Sequence, residues 1–187
     1  MLKMIIVSAP SGAGKSTIVR HLLKVFPETA FSVSATSRPK REGEVNGREY
    51  YFVTEDEFRY MIETNQLLEW QEVYPGSFYG TPRSEIMRMN KLGQVPVFDL
   101  DVVGGVNLKK MYGSQALSVF IKPPSYEVLE QRLRTRATDT EQSLQKRLSK
   151  VRYELTFEDK FDKVIINDVL DNALAKAEHL IKSFLCQ

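Results

Sequence analysis

A glycine-rich loop near the beginning of the chain has the residue types and the spacing that bind nucleoside-triphosphate phosphates. It lies between an apolar run and a helical pattern, and it consists of Ala9, Pro10, Ser11, Gly12, Ala13, Gly14, Lys15, Ser16 and Thr17. In such a loop the backbone N–H groups point at phosphate oxygens, and the positive end of the next helix lies behind them. We expect Lys15 to reach the β- and γ-phosphates and Ser16 to coordinate Mg²⁺.

The first position of this loop departs from the strict pattern, which has glycine where this chain has Ala9. A small residue still allows the turn if its φ is negative. A plain strand-to-helix turn is the alternative interpretation. The succession Gly14, Lys15, Ser16 after an apolar run favours the phosphate loop.

Composition limits the classes of protein to which the chain can belong. The 187 residues suit one domain, and a formal net charge of +2 argues against a dedicated nucleic-acid binder. Cys186 is the only cysteine, which excludes an intrachain disulfide and fits a reducing compartment. No apolar run is long enough for a signal peptide or a membrane span. We therefore expect a cytoplasmic protein without nucleic-acid or membrane partners, either a monomer or a small homo-oligomer.

Short apolar runs that alternate with helical patterns predict an α/β fold with a central parallel sheet flanked by helices. The phosphate loop then lies at the carboxyl edge of the sheet, where ligands bind in such folds. The predicted strands are residues 5–8, 95–100, 116–121 and 164–166. The predicted helices are residues 16–25, 83–92, 126–135, 141–157 and 172–185.

Two segments do not fit this alternation. Residues 31–80 form a small β-rich excursion with strand-like pieces and one helix at 54–64, where Thr54 and Glu57 have the spacing of a capping box. Residues 132–152 form two basic helices. Helices with so much charge bury little apolar surface, so we expect this second segment to be a mobile lid.

A phosphate loop, an excursion and a basic lid describe a small nucleotide kinase, and the chain resembles the guanylate kinases over essentially its whole length. The motifs that carry the resemblance run in the family's order, at residues 10–17, 31–34, 36–39, 41–52, 68–70, 79–81, 99–101, 123–125, 146–148 and 164–168. The resemblance implies phosphoryl transfer from ATP to GMP, with Mg²⁺, in purine nucleotide metabolism and GMP recycling; use of dGMP stays open.

The resemblance also implies how the single domain of residues 1–187 is divided. Residues 31–80 would be a GMP-binding subdomain and residues 131–152 a helical lid. The remaining residues, 1–30, 81–130 and 153–187, would form the P-loop kinase core. We expect the excursion and the lid to move toward the core when both nucleotides bind, because water must be kept from the γ-phosphate.

Glu69 supports a guanine acceptor independently of the family name. It follows Leu67 and Leu68 and precedes Trp70, so we expect a carboxylate in apolar surroundings, which needs a donor partner. Guanine offers N1–H and the 2-amino group side by side, whereas adenine offers neither, and such a site could reject AMP by on the order of 10⁴. An exposed acid at a strand end is the alternative. The resemblance places Ser34, Glu69 and Thr81 on the base, with Asp101 near its edge.

Four further residues could hold the phosphate of GMP. Arg38 and Arg41 have forked donors that match phosphate geometry, and Tyr50 and Tyr79 add hydroxyl donors. Half-buried packing is an equally good interpretation of the two tyrosines from their types alone. The resemblance assigns both to the acceptor phosphate.

The attacking phosphate oxygen is already ionised, so catalysis needs alignment and charge neutralisation and no general base. The resemblance makes Lys15, Arg41, Arg136 and Arg147 catalytic, and lid arginines of this type contribute roughly 10³ to 10⁵ in rate. It assigns three more residues to ATP: Arg132 to a phosphate, and Asn167 and Asp168 to the loop around the adenine.

Two acids follow the predicted strand at 95–100, where acids near Mg²⁺ often lie in P-loop enzymes. Asp99 would hold the ion, in part through water, and Asp101 would contact GMP. The family commonly has Gln at the position of Val103, so a polar contact is missing here.

Three other functions stay open at this point. A P-loop kinase could act on another acceptor, such as AMP, a pyrimidine nucleotide or shikimate. Guanylate-kinase-like domains in scaffold proteins bind phosphopeptides without catalysis, but they typically have degraded phosphate loops, whereas Lys15 and Ser16 are present here. A regulatory GTPase is disfavoured because the sequence has no Asn-Lys-x-Asp motif.

Overall fold

The computed structural model describes residues 3–135 and 141–187 of the chain. Within these residues the strands are β1 (Met4–Ser8), β2 (Thr29–Phe31), β3 (Ser34–Thr36), β4 (Tyr50–Phe52), β5 (Leu67–Tyr74), β6 (Ser77–Pro82), β7 (Val95–Leu100), β8 (Ala116–Lys122) and β9 (Lys163–Ile166). The helices are α1 (Lys15–Val25), α2 (Glu55–Glu63), α3 (Arg83–Lys91), α4 (Val102–Tyr112), α5 (Tyr126–Thr135), α6 (Glu141–Leu155) and α7 (Leu170–Leu185). No described helix is long and apolar enough to cross a membrane.

The central sheet has five strands in the order β2-β7-β1-β8-β9, and all of its strand pairs are parallel. Strand β1 is buried along its whole length and β8 along almost all of it, as continuous apolar runs predict. The predicted α/β fold with a parallel sheet is confirmed. Strand β2 was not expected in this sheet, because its three residues are too few to show a pattern.

Alternating side chains of β1 divide the core into two layers. Ile5 and Val7 face a cluster that includes residues of α1 and α7. Met4 and Ile6 face the opposite side, where residues of α3 and α4 pack. The sheet is therefore covered by helices on both faces, which fixes the carboxyl ends of its strands as the edge where a ligand can enter.

Helix α4 was missed by sequence reasoning because it contains Gly104 and Gly105, and glycine costs about 1 kcal/mol in a helix interior. Two features stabilise it. The Asp101 carboxylate accepts a hydrogen bond from the Gly104 backbone N–H at 2.8 Å and so caps the helix. A Cβ at Gly105 would collide with the Ser8 hydroxyl, so glycine lets α4 lie close to β1.

The second sheet has four strands in the order β4-β3-β6-β5. Helix α2 covers it, and Phe58 of this helix packs on Phe78 with ring centroids 5.5 Å apart. The capping box of Thr54 and Glu57 is confirmed. The chain enters this sheet between β2 and β3 and leaves it between β6 and α3, so the two sheets are joined at two crossings.

The expectation that residues 132–152 bury little apolar surface is wrong for the described part. Leu133, Leu148 and Val151 are buried in the main core cluster together with β1 and α1. Charge dominates the composition of these helices, but a narrow apolar stripe is enough to pack one side of each.

Candidate active site

Two glycines of the loop between β1 and α1 have backbone angles that other residues rarely adopt. Gly12 has φ of 89° and Gly14 has φ of 96°, and Gly14 is the N-cap residue immediately before α1. Asn65 is the one non-glycine residue with positive φ among those described, so Ala9 does not need this freedom. The loop therefore tolerates its departure from the strict pattern.

Lys15 and Asp99 bring the phosphate loop and the end of β7 together. The Lys15 ammonium lies 2.5 Å from a carboxylate oxygen of Asp99 and donates a hydrogen bond to the Leu100 carbonyl at 2.7 Å. Ser16 in the first turn of α1 lines the same cavity as Asp99. The ammonium of Lys15, the hydroxyl of Ser16 and the carboxylate of Asp99 thus lie near one another at the loop. Thr17 is the next residue of α1.

The acceptor cavity opens between the two sheets and gathers most of the residues expected around a nucleotide base and its phosphate. Its lining residues are Lys15, Ser34, Tyr50, Glu69, Gln71, Val73, Tyr79, Gly80, Asp99, Leu100 and Asp101. Gln71 and Val73 were not singled out in the sequence. They lie on β5 two and four residues after Glu69, on the same face of the strand.

Glu69 is buried, with 9% of its surface exposed. The Thr81 hydroxyl donates to one of its oxygens at 2.6 Å. Burial raises the pKa of Glu69 to about 7, the nearby charge of Asp101 adds to the shift, and the bond from Thr81 opposes it. When it is ionised, the Glu69 carboxylate can accept more hydrogen bonds than the one from Thr81, and a ligand in the cavity could donate them.

The apolar sequence neighbours of Glu69 explain only part of its burial. Leu67 is buried, but Trp70 is 45% exposed, and the pairing of β5 with β6 is irregular between Leu67 and Glu69. Gly104 is the neighbour that matters and that sequence reasoning missed. A Cβ there would lie 2.7 Å from Glu69 Oε2 and 3.2 Å from Asp101 Oδ1. Glycine at this position allows the two acids to share one end of the cavity.

A second cavity extends from the phosphate loop to the basic residues of the excursion. Its polar lining includes Ser16, Arg20, Ser34, Arg38, Arg41, Glu44, Arg48, Glu49, Tyr50 and Asp99. Glu44 was not predicted from the sequence. It accepts two hydrogen bonds from the Arg38 guanidinium, which lowers the pKa of Glu44 to about 2, and it also accepts from the Arg41 backbone N–H at 2.8 Å. Glu44 thus fixes the orientation of Arg38.

Tyr50 and Tyr79 lie together beside this arginine. Their ring centroids are 5.8 Å apart in an edge-to-face arrangement, and the Arg38 guanidinium lies 5.0 Å from the centre of the Tyr50 ring. Burial raises the pKa of Tyr50 to about 12, and the charge of Asp99 contributes. The Tyr50 hydroxyl therefore remains protonated at neutral pH and can donate a hydrogen bond.

On the donor side, Asn167 links β9 to the phosphate loop. Its amide donates to the Ala13 carbonyl at 2.8 Å, and Arg132 donates to the Asn167 carbonyl at 3.2 Å. Asp168 follows at an exposed position. Glu154 of α6 was missed: it is buried and accepts a hydrogen bond from the Ser11 N–H at 3.3 Å. Nothing in its local sequence distinguishes it from the other acids of the chain.

Arg136 and Arg147 are the two arginines that were expected to act from a lid. Arg136 lies outside the described residues. Arg147 is half-buried in α6. Burial raises the pKa of the Tyr74 hydroxyl, and the positive charges of Arg147 and Arg41 oppose that shift. Arg147 and Arg41 therefore both act on the same tyrosine at the end of β5.

Comparison with known proteins gives a consistent picture. The family model described as guanylate kinase matches residues 1–184. A guanylate kinase of Bacteroides fragilis is 53% identical over 98% of this chain and 90% of its own length, and one of Porphyromonas gingivalis is 44% identical with full coverage of both.

Two solved structures are similar as well. The crystal structure of a guanylate kinase from Anaplasma phagocytophilum has a TM-score of 0.78 at 28% identity, covering 97% of this chain and 85% of its own. A shikimate kinase from Bacteroides thetaiotaomicron has a TM-score of 0.52 at 12% identity, covering 97% and 99%. This second likeness reflects the fold alone.

Proposed function

The chain belongs to the guanylate kinase family, and we propose that it transfers the γ-phosphoryl group of ATP to GMP, giving ADP and GDP. The observation that carries the proposal is the acceptor cavity, which places the buried Glu69 carboxylate and Lys15 of the phosphate loop on one lining. The product would serve purine nucleotide metabolism and GMP recycling. We place the enzyme in the cytoplasm, in line with the exposed, unbridged thiol of Cys186.

Guanine would bind through the polar end of the acceptor cavity. The Glu69 carboxylate would accept from N1–H and the 2-amino group at once, while Thr81 holds one of its oxygens at 2.6 Å. Ser34 and Asp101 line the same cavity and offer further polar contacts to the base. Adenine lacks both donors, so its binding would leave a buried carboxylate unpaired.

The phosphate of GMP would lie in the second cavity, near the phosphate loop. Arg38, held by Glu44, and Arg41 would supply forked donors, and Tyr50 and Tyr79 would donate from their hydroxyls. Because Arg38 is already oriented, less side-chain entropy is lost when the phosphate binds.

The residues at the phosphate loop fit a bound Mg²⁺. The Ser16 hydroxyl and the Asp99 carboxylate are oxygen ligands that this ion prefers, directly or through water, and both line one cavity. The described residues contain no group of three His, Cys, Asp or Glu side chains that could hold a metal ion, which suits an ion brought by nucleotide phosphates. When bound, Mg²⁺ would neutralise charge on the triphosphate.

The side chains themselves would then align the reactants. Lys15 would neutralise the transferring group from the donor side and Arg41 from the acceptor side, with Arg147 and Arg136 arriving from the lid. Ser11, Gly12, Ala13, Gly14 and Thr17 would border the phosphates of ATP, with backbone N–H groups of the loop, such as that of Gly14, as donors. Arg132, Asn167 and Asp168 would border the rest of ATP.

We further propose that residues 31–80 act as the GMP-binding subdomain and residues 131–152 as the lid. The burial of Leu133, Leu148 and Val151 supports a lid whose described ends stay anchored on the core. The core would then comprise residues 1–30, 81–130 and 153–187.

The reaction is tested by following phosphorus NMR of Mg-ATP and GMP with the purified protein. We expect ADP and GDP to appear in equal amounts while inorganic phosphate stays low. ADP formed together with phosphate, and without GDP, would contradict it. The Lys15→Ala variant is the control for a contaminating kinase and should form neither product.

A further inference from the structure

Glu85 is a buried carboxylate outside both cavities, with 2% of its surface exposed. It lies in the first turn of α3, immediately after the chain leaves the four-stranded sheet. Charged side chains are almost never fully buried unless they are paired. Its partners therefore show what it does in the fold.

Four hydrogen bonds occupy the two oxygens of Glu85. The Val33 backbone N–H donates to Oε2 at 3.1 Å and the Tyr51 hydroxyl donates to Oε1 at 2.9 Å. The Arg88 guanidinium donates to both oxygens, at 3.1 and 3.0 Å. Burial alone would raise the pKa of Glu85, but the bonds from Arg88, Val33 and Tyr51 outweigh it and lower the pKa. Glu85 is thus a fixed, ionised acceptor.

The helix that carries Glu85 belongs to the core. Ile86 and Met89 of α3 are buried against Phe98 of β7 and Ile6 of β1. Position 85 is therefore fixed relative to the central sheet and to the strand that leads into the phosphate loop.

Arg88 is in α3 with Glu85, whereas the other two partners lie across the junction between the sheets. Val33 is in the crossing from β2 to β3, and Tyr51 is in β4 of the four-stranded sheet. Each precedes or follows a cavity residue in the chain: Val33 is next to Ser34, and Tyr51 is next to Tyr50. Ser34 and Tyr50 are themselves register partners in the β3–β4 ladder, and both line the acceptor cavity.

We propose that Glu85 is a positioning residue for GMP, which fixes Ser34 and Tyr50 relative to the phosphate loop by tying Val33 and Tyr51 to the core. The inference rests on the proposed function and deepens it. Glu85 lines neither cavity, so it would act on GMP only through the residues that it holds in place. A shift of about 1 Å in a positioning contact is enough to weaken a substrate site strongly.

Two variants test this role at different strengths. Glu85→Gln keeps the size of the side chain but presents an amide N–H₂ to donors, so at least one partner loses its acceptor. Tyr51→Phe removes only one hydroxyl. We expect the KM for GMP, and the GMP dissociation constant from calorimetry, to rise about tenfold in Glu85→Gln and about threefold in Tyr51→Phe. The KM for ATP should stay within about twofold in both.

The double variant separates a shared role from two independent defects. If Glu85 and Tyr51 act through one bond, the GMP effect of the pair should be smaller than the product of the single effects. Glu55→Gln is the matched control: it makes the same charge change at an exposed ion pair with Arg59 in α2 and should leave both KM values unchanged. Melting temperatures of all variants report any general loss of stability.

Each outcome decides the matter. An unchanged GMP affinity in both single variants, or equal rises in the KM for GMP and ATP, would overturn the role of Glu85. The proposed function would still stand in that case if the wild type phosphorylates GMP. A wild type that neither binds nor phosphorylates GMP would overturn both. If Glu85→Gln does not fold, Tyr51→Phe decides alone by its GMP-to-ATP ratio.

Discussion

The phosphate loop and the acceptor cavity differ in the part of the chain that forms each site. The loop is nine consecutive residues, two of which are glycines with positive φ, and its expected donors are backbone N–H groups. The cavity is lined by side chains from Lys15 to Asp101, which come from both sheets and from the strand ends between them. The first site suits any triphosphate of this form, whereas the second can distinguish one base from another.

This difference predicts that damage on the donor side abolishes chemistry, whereas damage on the acceptor side changes which substrate is used. Lys15→Met removes the cation that lies 2.5 Å from Asp99 at the loop. We expect kcat/KM to fall by about 10³ in a coupled ADP assay. Lys24→Met, an exposed lysine of the same helix, is the matched control and should retain wild-type turnover.

On the acceptor side, Glu69→Gln replaces a carboxylate that could accept two guanine donors with a group that can accept only on one side. We expect kcat/KM for GMP to fall by about 10², with the KM for ATP nearly unchanged. Glu72→Gln changes a more exposed acid of the same strand and should behave as wild type. A GMP rate that is the same in Glu69→Gln and in wild type would remove Glu69 from base recognition.

The pH dependence should also differ between the two sides. The pKa of Glu69 is raised to about 7, and guanine needs the ionised form, so kcat/KM for GMP should fall up to tenfold per pH unit below about 7. The KM for ATP should not share this dependence. Loss of the GMP profile in Glu69→Gln would assign the titration, and its persistence there would assign it to another group.

The same group affects the stability of the nucleotide-free protein. The folded-state pKa of Glu69 lies above its ordinary value of 4.5, so the folded state binds more protons between about pH 4.5 and 7. The contribution of Glu69 to the free energy of unfolding is therefore largest below pH 4.5 and decreases as the pH rises through 7. Comparing urea unfolding of wild type and Glu69→Gln across this range isolates that contribution.

The smallest expected effect on catalysis comes from substituting Gly104, a residue to which we assign no contact with either nucleotide. Gly104→Ala would place a Cβ 2.7 Å from Glu69 Oε2 and displace that carboxylate. We expect the KM for GMP to rise about fivefold with the KM for ATP unchanged. Alanine favours a helix by up to about 1 kcal/mol over glycine, so a retained melting temperature would separate displacement of Glu69 from unfolding.

The phosphate loop could be recognised from the sequence, whereas contacts between distant side chains could not, for a physical reason. The phosphate loop is contiguous, and buried parallel strands such as β7 are continuous apolar runs, so local patterns are enough. Glu44 and Glu85 owe their roles to partners that the fold brings near them, and nothing in their local pattern shows this. The charged composition of α6 likewise concealed Leu148 and Val151, whose burial depends on the core beside them.

The surroundings of Glu69 also could not be predicted from the local sequence. The burial of Glu69 was expected from Leu67, Leu68 and Trp70, but Trp70 is exposed, and α4, whose glycines argued against a helix, lies against the Glu69 carboxylate. The chemistry of the residue was readable from its type, but its surroundings were not. Side-chain sites assembled from distant segments need the fold before their geometry can be stated.

The choice of acceptor is tested most directly by a panel with Mg-ATP, in which ADP formation is measured with GMP, AMP, CMP, UMP and shikimate at equal concentrations. We expect rapid turnover with GMP and at least about 10³-fold less with each of the others. Comparable turnover with AMP, or turnover with shikimate and none with GMP, would contradict the assignment of the buried Glu69 pocket to guanine.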